Sequence, residues 1–181
     1  GGVRQPAFRV LDTGADVRAL ASEIGWPVVM KPLSLAASQG VIRVDDARSA
    51  AAAETRIRAI LEDADEDPAA PLLLERFIAG SEVAVEGLLR AGELDVLAIF
   101  DKPALLDGPY FEETIFVTPS RLPAEILETI RRLCAGAACA LGLVEGPIHA
   151  ELRIDGAQAS RSASHLMEGK IVVGTRYYPI S

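Results

Sequence analysis

Residues 147–154 read Pro-Ile-His-Ala-Glu-Leu-Arg-Ile, and their alternation has no fault: Ile148, Ala150, Leu152 and Ile154 share one parity, His149, Glu151 and Arg153 the other. Alternate side chains of a strand point to opposite faces. The segment therefore belongs in a sheet with one buried face and one face bearing polar groups of three kinds. Upstream, residues 123–141 carry Ile126, Ile130, Leu133, Cys134, Ala137 and Leu141 at spacings of three and four, the stripe of an amphipathic helix, and Gly142 ends it. A half-buried strand after such a helix predicts the α+β class.

The front of the chain repeats the theme. In GADVRALASEIG, Val17, Leu20, Ala21 and Ile24 have helical spacing and Gly25 stands at the C-cap. Val28, Val29 and Met30 are strand formers between Pro27 and Pro32, and after the loop Ser34–Gly40 the run Val41–Val44 reads as a returning strand. Asp45 suits the N-cap of the next helix, whose Ile57, Ile60 and Leu61 form its sticky side. The acidic run EDADEDPAAP breaks it. Leu72–Leu74 then reads as a short buried strand, and Val83, Val85 and Leu88 alternate with Glu82, Ala84 and Glu86 as in a strand buried on one side. LDVLAIF pairs with that strand as a hairpin through Arg90–Glu93. No internal repeat emerges, and two α+β lobes are expected to meet near Glu75.

Composition narrows the function. With 181 residues, half of them apolar, the chain suits one domain or two small lobes sharing a core. A net charge of −8 without any Lys/Arg cluster argues against binding nucleic acid or an anionic membrane, while leaving room for one nucleotide held by a few placed cations. Cys134 and Cys139, five apart on a helix, lie on different faces and suit neither zinc nor a redox pair, which fits packing roles in a reducing, cytoplasmic setting. No apolar run approaches the about 20 residues of a membrane span, and no signal peptide is visible. A start at Gly-Gly-Val suggests an excised domain or a processed product. From Ser164 the Ala-rich texture stops, so residues 161–181 are expected to be an atypical tail, either non-native or a completing strand.

Lys31 ends an apolar strand and opens into Ser34, Ala36, Ala37, Ser38 and Gly40, residues small enough for backbone N–H groups to approach an anion. A lysine there can be a solvated strand end; beside such a loop it can also bind phosphate. The order is not that of a Walker loop, and no G-x-G-x-x-G turn is present. Glu82 and Glu86 share a parity, and Glu151 sits between His149 and Arg153. Burying such charges unpaired would cost about several kcal/mol each, so they face water, partners or a ligand such as Mg²⁺. His149 is a candidate base. Asp101-Lys102-Pro103 reads either as a turn with an ion pair or as a device aiming Lys102 at a cleft shared with GPYFEE.

In order, these segments resemble the ATP-grasp superfamily, particularly the carboxylate–amine ligases related to the L-amino acid ligases and biotin carboxylase. The resemblance runs from about Gly2 to Gly156 through GGVRQPAFRV, IGWPVVMKPLSLAASQGV, LLLERFIAGSEVAVEGLL, AIFDKP and GLVEGPIHAELRIDG. It implies two lobes clasping ATP, a small lid lobe over residues 1–74 and a core lobe over 75–160. Lys31 would meet the α/β-phosphates beneath a mobile loop containing Ser38, Gln39 and Gly40. Glu75, Arg76 and Phe77 would hold adenine, mostly through backbone groups, and Glu82 the ribose. Glu151 would be the first carboxylate on Mg²⁺ or Mn²⁺, and Lys102 joins Lys31 as a catalytic candidate. The implied reaction phosphorylates a small carboxylate with ATP and lets an amine displace phosphate, in a homodimer or beside covalently linked neighbouring domains.

Two departures accompany the resemblance. The family's preceding domain and a helix with another phosphate-contacting lysine are not in this sequence. A second metal carboxylate is expected about a dozen residues after Glu151, where AQASRSAS stands instead; neither Arg161 nor Glu168 takes its place. The alternative is therefore a nucleotide-binding module without turnover.

Overall fold

The computed structural model describes residues 6–103, 108–111 and 115–154. They fall into two compact units, residues 6–77 with 108–111 and residues 78–103 with 115–154.

In the first unit, strands β1 (Phe8–Leu11), β2 (Val28–Pro32), β3 (Ile42–Val44) and β4 (Leu72–Arg76) form an antiparallel sheet ordered β1-β4-β2-β3. Val28, Met30, Ile42, Val44, Leu72 and Leu74 point to one face and pack with Val17, Ala21 and Ile24 of helix α1 (Val17–Ile24) and with Ala50, Ile57 and Leu61 of helix α2 (Ala47–Asp63). Gly25 caps α1 at φ 89°, its N–H donating to the Ala21 carbonyl. Asp46, not Asp45, caps α2: its carboxylate accepts from the N–H groups of Arg48 and Ser49. Asp45 instead pairs with Arg43 at 2.7 Å. The last strand runs on past Leu74 to Arg76, and the returning strand starts at Ile42.

In the second unit, β5 (Ser81–Arg90), β6 (Glu93–Lys102) and β7 (Gly146–Ile154) form an antiparallel sheet with β5 in the centre. Helix α3 (Ala124–Ala140) covers one face, where Ile126, Ile130 and Cys134 meet Val83, Val85, Ile99, Ala150, Leu152 and Ile154. The buried parity of β5 continues through Gly87 to Leu89. Leu88, expected on that face, has the parity of the glutamates and is only half-buried. The hairpin expected at Arg90–Glu93 forms with Ala91 at φ 51° and Gly92 at φ 83°, the left-handed pair of a two-residue turn that matches strand twist. At Gly87 space is tight, since a Cβ there would lie 2.8 Å from Leu94 Cδ1 and 3.1 Å from the Asp95 carbonyl oxygen.

Among the described residues no helix is long and apolar enough to cross a membrane. The segments GGVRQ, AQASRSAS and the tail 161–181, with Arg161 and Glu168, lie outside the described residues, as do the two glutamates of GPYFEE.

Candidate functional site

In each unit the sheet face opposite the helices carries charge, and the strand register says why. In the first unit Val29 lies opposite Glu75 and Lys31 opposite Leu73, so Lys31 and Glu75 are diagonal neighbours on the face away from the core. Their ammonium and carboxylate meet at 2.8 Å, both side chains mostly buried. Arg43 shares that face through Val29 and stacks its guanidinium 4.3 Å from the Phe77 ring centre. Gly108 fits against it: a Cβ at Gly108 would lie 2.8 Å from Arg43 Cβ, and the Arg43 N–H donates to the Pro109 carbonyl at 2.9 Å.

The loop after Lys31 is held in an uncommon backbone state. Ala37 and Ser38 have φ 54° and 58°, and Gly40 has φ 73°. Left-handed conformation costs a non-glycine residue about 1–2 kcal/mol, and such strain gathers where backbone N–H groups must turn toward something. Two internal bonds hold the loop, Gln39 N–H to Ala36 O at 3.2 Å and Val41 N–H to Ser38 O at 3.1 Å. Gly40 is required twice over, because a Cβ there would also lie 3.0 Å from Pro32 Cδ. Arg76 ends β4 and Phe77 follows it, their N–H groups donating to Ala7 O and Pro27 O, and the Arg76 guanidinium reaches Ile24 O at 3.3 Å.

In the second unit the polar face is a grid of three rows. Lys102, Glu82 and Arg153 lie side by side across β6, β5 and β7; Phe100, Ala84 and Glu151 form the next row; Ala98, Glu86 and His149 the third. The charges, expected to face water, partners or a ligand, find partners in one another. Lys102 Nζ donates to Glu82 Oε1 at 2.7 Å and also to Glu151 Oε1. Arg153 donates from Nε to Glu82 Oε2 at 3.0 Å and from a terminal nitrogen to the Ile78 carbonyl at 2.9 Å. His149 Nδ1 is 2.7 Å from Glu86 Oε1, while its Nε2 lies 3.6 Å from Glu151, ion-pair rather than hydrogen-bond range. The carboxylates of Glu151 and Glu86, working against partial burial, push the imidazole up to about 9.

Lys102 is the most buried of these charges, its side chain 3% exposed. The Phe116 ring lies 5.0 Å from its nitrogen and meets Phe100 edge-on with ring centres 6.2 Å apart. Neither Phe100 nor Ala84 is among the candidates read from sequence. The signal for Ala84 was available, since its parity matches Glu82 and Glu86; the placement of Phe116 depends on the Asp101–Val117 bridge, which no local pattern announces.

Two carboxylates, Glu82 and Glu151, thus converge on one cationic nitrogen, the donor chemistry that a hard cation takes. Among the described residues no group of three or more His, Cys, Asp or Glu is placed to hold an ion. The set fits Mg²⁺ or Mn²⁺ bound through one or two carboxylates and shared with substrate phosphates. The sequence-predicted residues accordingly fall into Lys31, Glu75, Arg76, Phe77 and the Ser38–Gly40 loop in one unit, and Glu82, Lys102 and Glu151 in the other.

Comparison with known proteins agrees with this architecture. The alanine–anticapsin ligase of Bacillus subtilis (strain 168) is 30% identical over 169 residues, covering 84% of this chain and 35% of the relative. The crystal structure of an L-amino acid ligase from Bacillus licheniformis superposes with a TM-score of 0.66 at 33% identity, over 86% of this chain and 34% of that one. A biotin carboxylase–β,γ-ATP complex from Campylobacter jejuni shares the fold at a TM-score of 0.76 and 20% identity, over 99% of this chain and 38% of that one. The chain thus spans about a third of the length of each of these relatives. The family model described as the ATP-grasp domain matches residues 24–161, so the chain belongs to the ATP-grasp family.

Proposed function

We propose that this chain is the Mg-ATP-binding part of an ATP-dependent ligase that activates a small carboxylate as an acylphosphate for attack by an amine. The observation that carries the reading is the pairing, within one sheet, of Lys31 with a left-handed, small-residue loop ending at Gly40. Lys31 and the N–H groups of Ser38 and Gly40 bind the phosphates, with Gln39 between them in the same loop although its own N–H is given to Ala36 O, and Glu75, Arg76 and Phe77 receive the adenine. The N–H groups of Arg76 and Phe77 are already given to the sheet, so adenine is read there through other groups of this segment. Glu82 receives the ribose: its two oxygens accept from Lys102 and Arg153, yet each retains capacity to accept a hydroxyl proton.

Glu151 would hold the metal, which would supply positive charge to offset that of the phosphates. In the transfer, a carboxylate oxygen of the substrate attacks the terminal phosphorus and ADP leaves; the amine then forms the C–N bond and phosphate leaves. Positioning and charge stabilisation by Lys31, Lys102 and the loop N–H groups supply the catalysis, with no covalent enzyme intermediate. The ligase names of the relatives support turnover and lend nothing to the binding-only alternative. The substrates are a small carboxylate and an amine, in a reducing, cytoplasmic setting that suits the free thiols of Cys134 and Cys139; a homodimer or linked neighbouring domains complete the enzyme.

Titration calorimetry with Mg-ATP tests the reading. The chain is expected to bind, and Lys31→Ala to weaken binding at least about tenfold, a loss of about 1.4 kcal/mol. Absence of binding, or no effect of Lys31→Ala, would sink it. ADP release with a panel of amino acids tests turnover separately.

A further inference from the structure

Lys102 starts in the row of Glu82, on β6, and ends on Glu151, one row along and two strands away on β7. To do so its side chain crosses β5 between Glu82 and Ala84. The crossing is possible because residue 84 has nothing beyond Cβ on a face where both its row neighbours, Phe100 and Glu151, are large. The Phe116 ring lies beside the ammonium. Lys102 and Arg153 face Glu82 and Glu151, two cations against two carboxylates, and each of the four side chains is hydrogen-bonded to another of the set.

A divalent ion approaching Glu151 would meet an ammonium already on the oxygen it needs. Adding two positive charges beside two others, in a setting where Lys102 is almost wholly out of water, is unfavourable unless negative charge arrives too or the ammonium leaves. We propose that Lys102 is a resident counter-cation for the Glu82–Glu151 pair, excluding a free divalent ion from Glu151 and yielding it only when an anionic polyphosphate draws the ammonium away. The inference rests on the reading of Glu151 as a metal ligand and adds to it an order of events: metal enters with the nucleotide, not before it. Lys102 acts here through Glu151, as a positioning residue, in addition to whatever it does at the phosphates. Ala84 is the size condition that allows it.

The test uses the full chain and Mn²⁺ alone, with free Mn²⁺ read by electron paramagnetic resonance. Parent protein is expected to bind weakly, and Lys102→Met at least about tenfold more tightly, because the variant leaves two carboxylates facing one gap. Adding Glu82→Gln to Lys102→Met should abolish the gain. Equal Mn²⁺ affinity in parent and Lys102→Met overturns the inference. Should Lys102→Met fail to fold, the parent still decides: the chain has three lysines, Lys31, Lys102 and Lys170, so dimethylation at each is resolved by mass. Lys102 labelling should stay slow with Mn²⁺ alone; acceleration by Mn²⁺ alone overturns the inference. None of these arms contains nucleotide. A chain that passes them but shows no calorimetric Mg-ATP binding would refute the proposed function, and with it the release by polyphosphate, and leave Lys102 standing as the counter-cation; the reverse pattern would do the opposite.

Discussion

The two sheets solve one problem in different ways. Each buries one face beneath helices and puts charge on the other, yet the first unit sets the mostly buried Lys31–Glu75 pair beside a strained loop, whereas the second knits Lys102, Glu82, Arg153 and Glu151 together with His149 and Glu86 alongside. The helices differ as well. Asp46 caps α2 with its side chain, while α3 starts at Pro123 with no side-chain cap hydrogen bond. Losing Lys31 strips one carboxylate, Glu75, of an ammonium, whereas losing Lys102 strips two, Glu82 and Glu151. Equivalent substitutions should therefore have unequal effects in the two units.

The largest contrast is expected between Lys102→Met and Lys31→Met. Removing one member of a buried charge group leaves the others uncompensated, so Lys102→Met should cost about 3 kcal/mol in urea unfolding, against about 2 kcal/mol for Lys31→Met, which leaves one carboxylate without its charge-assisted contact. Equal losses would erase the distinction. Next, Ala84→Leu should cost about 2 kcal/mol as an overpacking change and separate Lys102 from Glu151, whereas Ala91→Gly, at the hairpin's left-handed position, should be neutral or slightly stabilising; thermal melts of both variants check this.

The remaining differences are in pH. Hydrogen bonds from Ser49 and Arg48 hold the Asp46 carboxyl below its ordinary 3.8. Its contribution is present above that value and lost as pH falls through the lowered one, so Asp46→Ala should lower Tm at neutral pH and flatten the acid limb, while Asp45→Ala should not. His149 runs the other way. Its folded value of about 9 exceeds the ordinary 6.5, so its stabilisation is complete below 6.5 and fades as pH rises through about 9. Because the ring is more than a third exposed, screening keeps this below about 1 kcal/mol. The excess stability of parent over His149→Gln should shrink between those two values; an unchanged difference would show that the imidazolium pairing contributes nothing.

Much of this was legible because local rules and tertiary demands coincide. The helical spacing in 17–24 and 124–140 and the alternation in 147–154 each satisfy both propensity and burial. Where sequence reading failed, two neighbouring residues offered the same chemistry: Asp45 and Asp46 can each cap, and only the strand end at Val44 and the pull of Arg43 on Asp45 decide between them. Leu88 and Leu89 pose the same ambiguity, settled by the parity that runs unbroken through Gly87. At the candidate site, the residue types were readable and their partners were not. Lys102 and Glu151 are separated by 49 positions, and only the two strand registers reveal that they meet.

That dependence on register runs in both directions. The central strand β5 carries Glu82 and Glu86, and each must find partners on both flanking strands or on one of them. A slip of β5 by a single position would turn both carboxylates toward the α3 side and expose Val83 and Val85 in their stead. The charged grid therefore acts as a proofreading device during assembly, because a misaligned three-stranded sheet can neither neutralise its glutamates nor bury its valines, and is left without a minimum in which to persist.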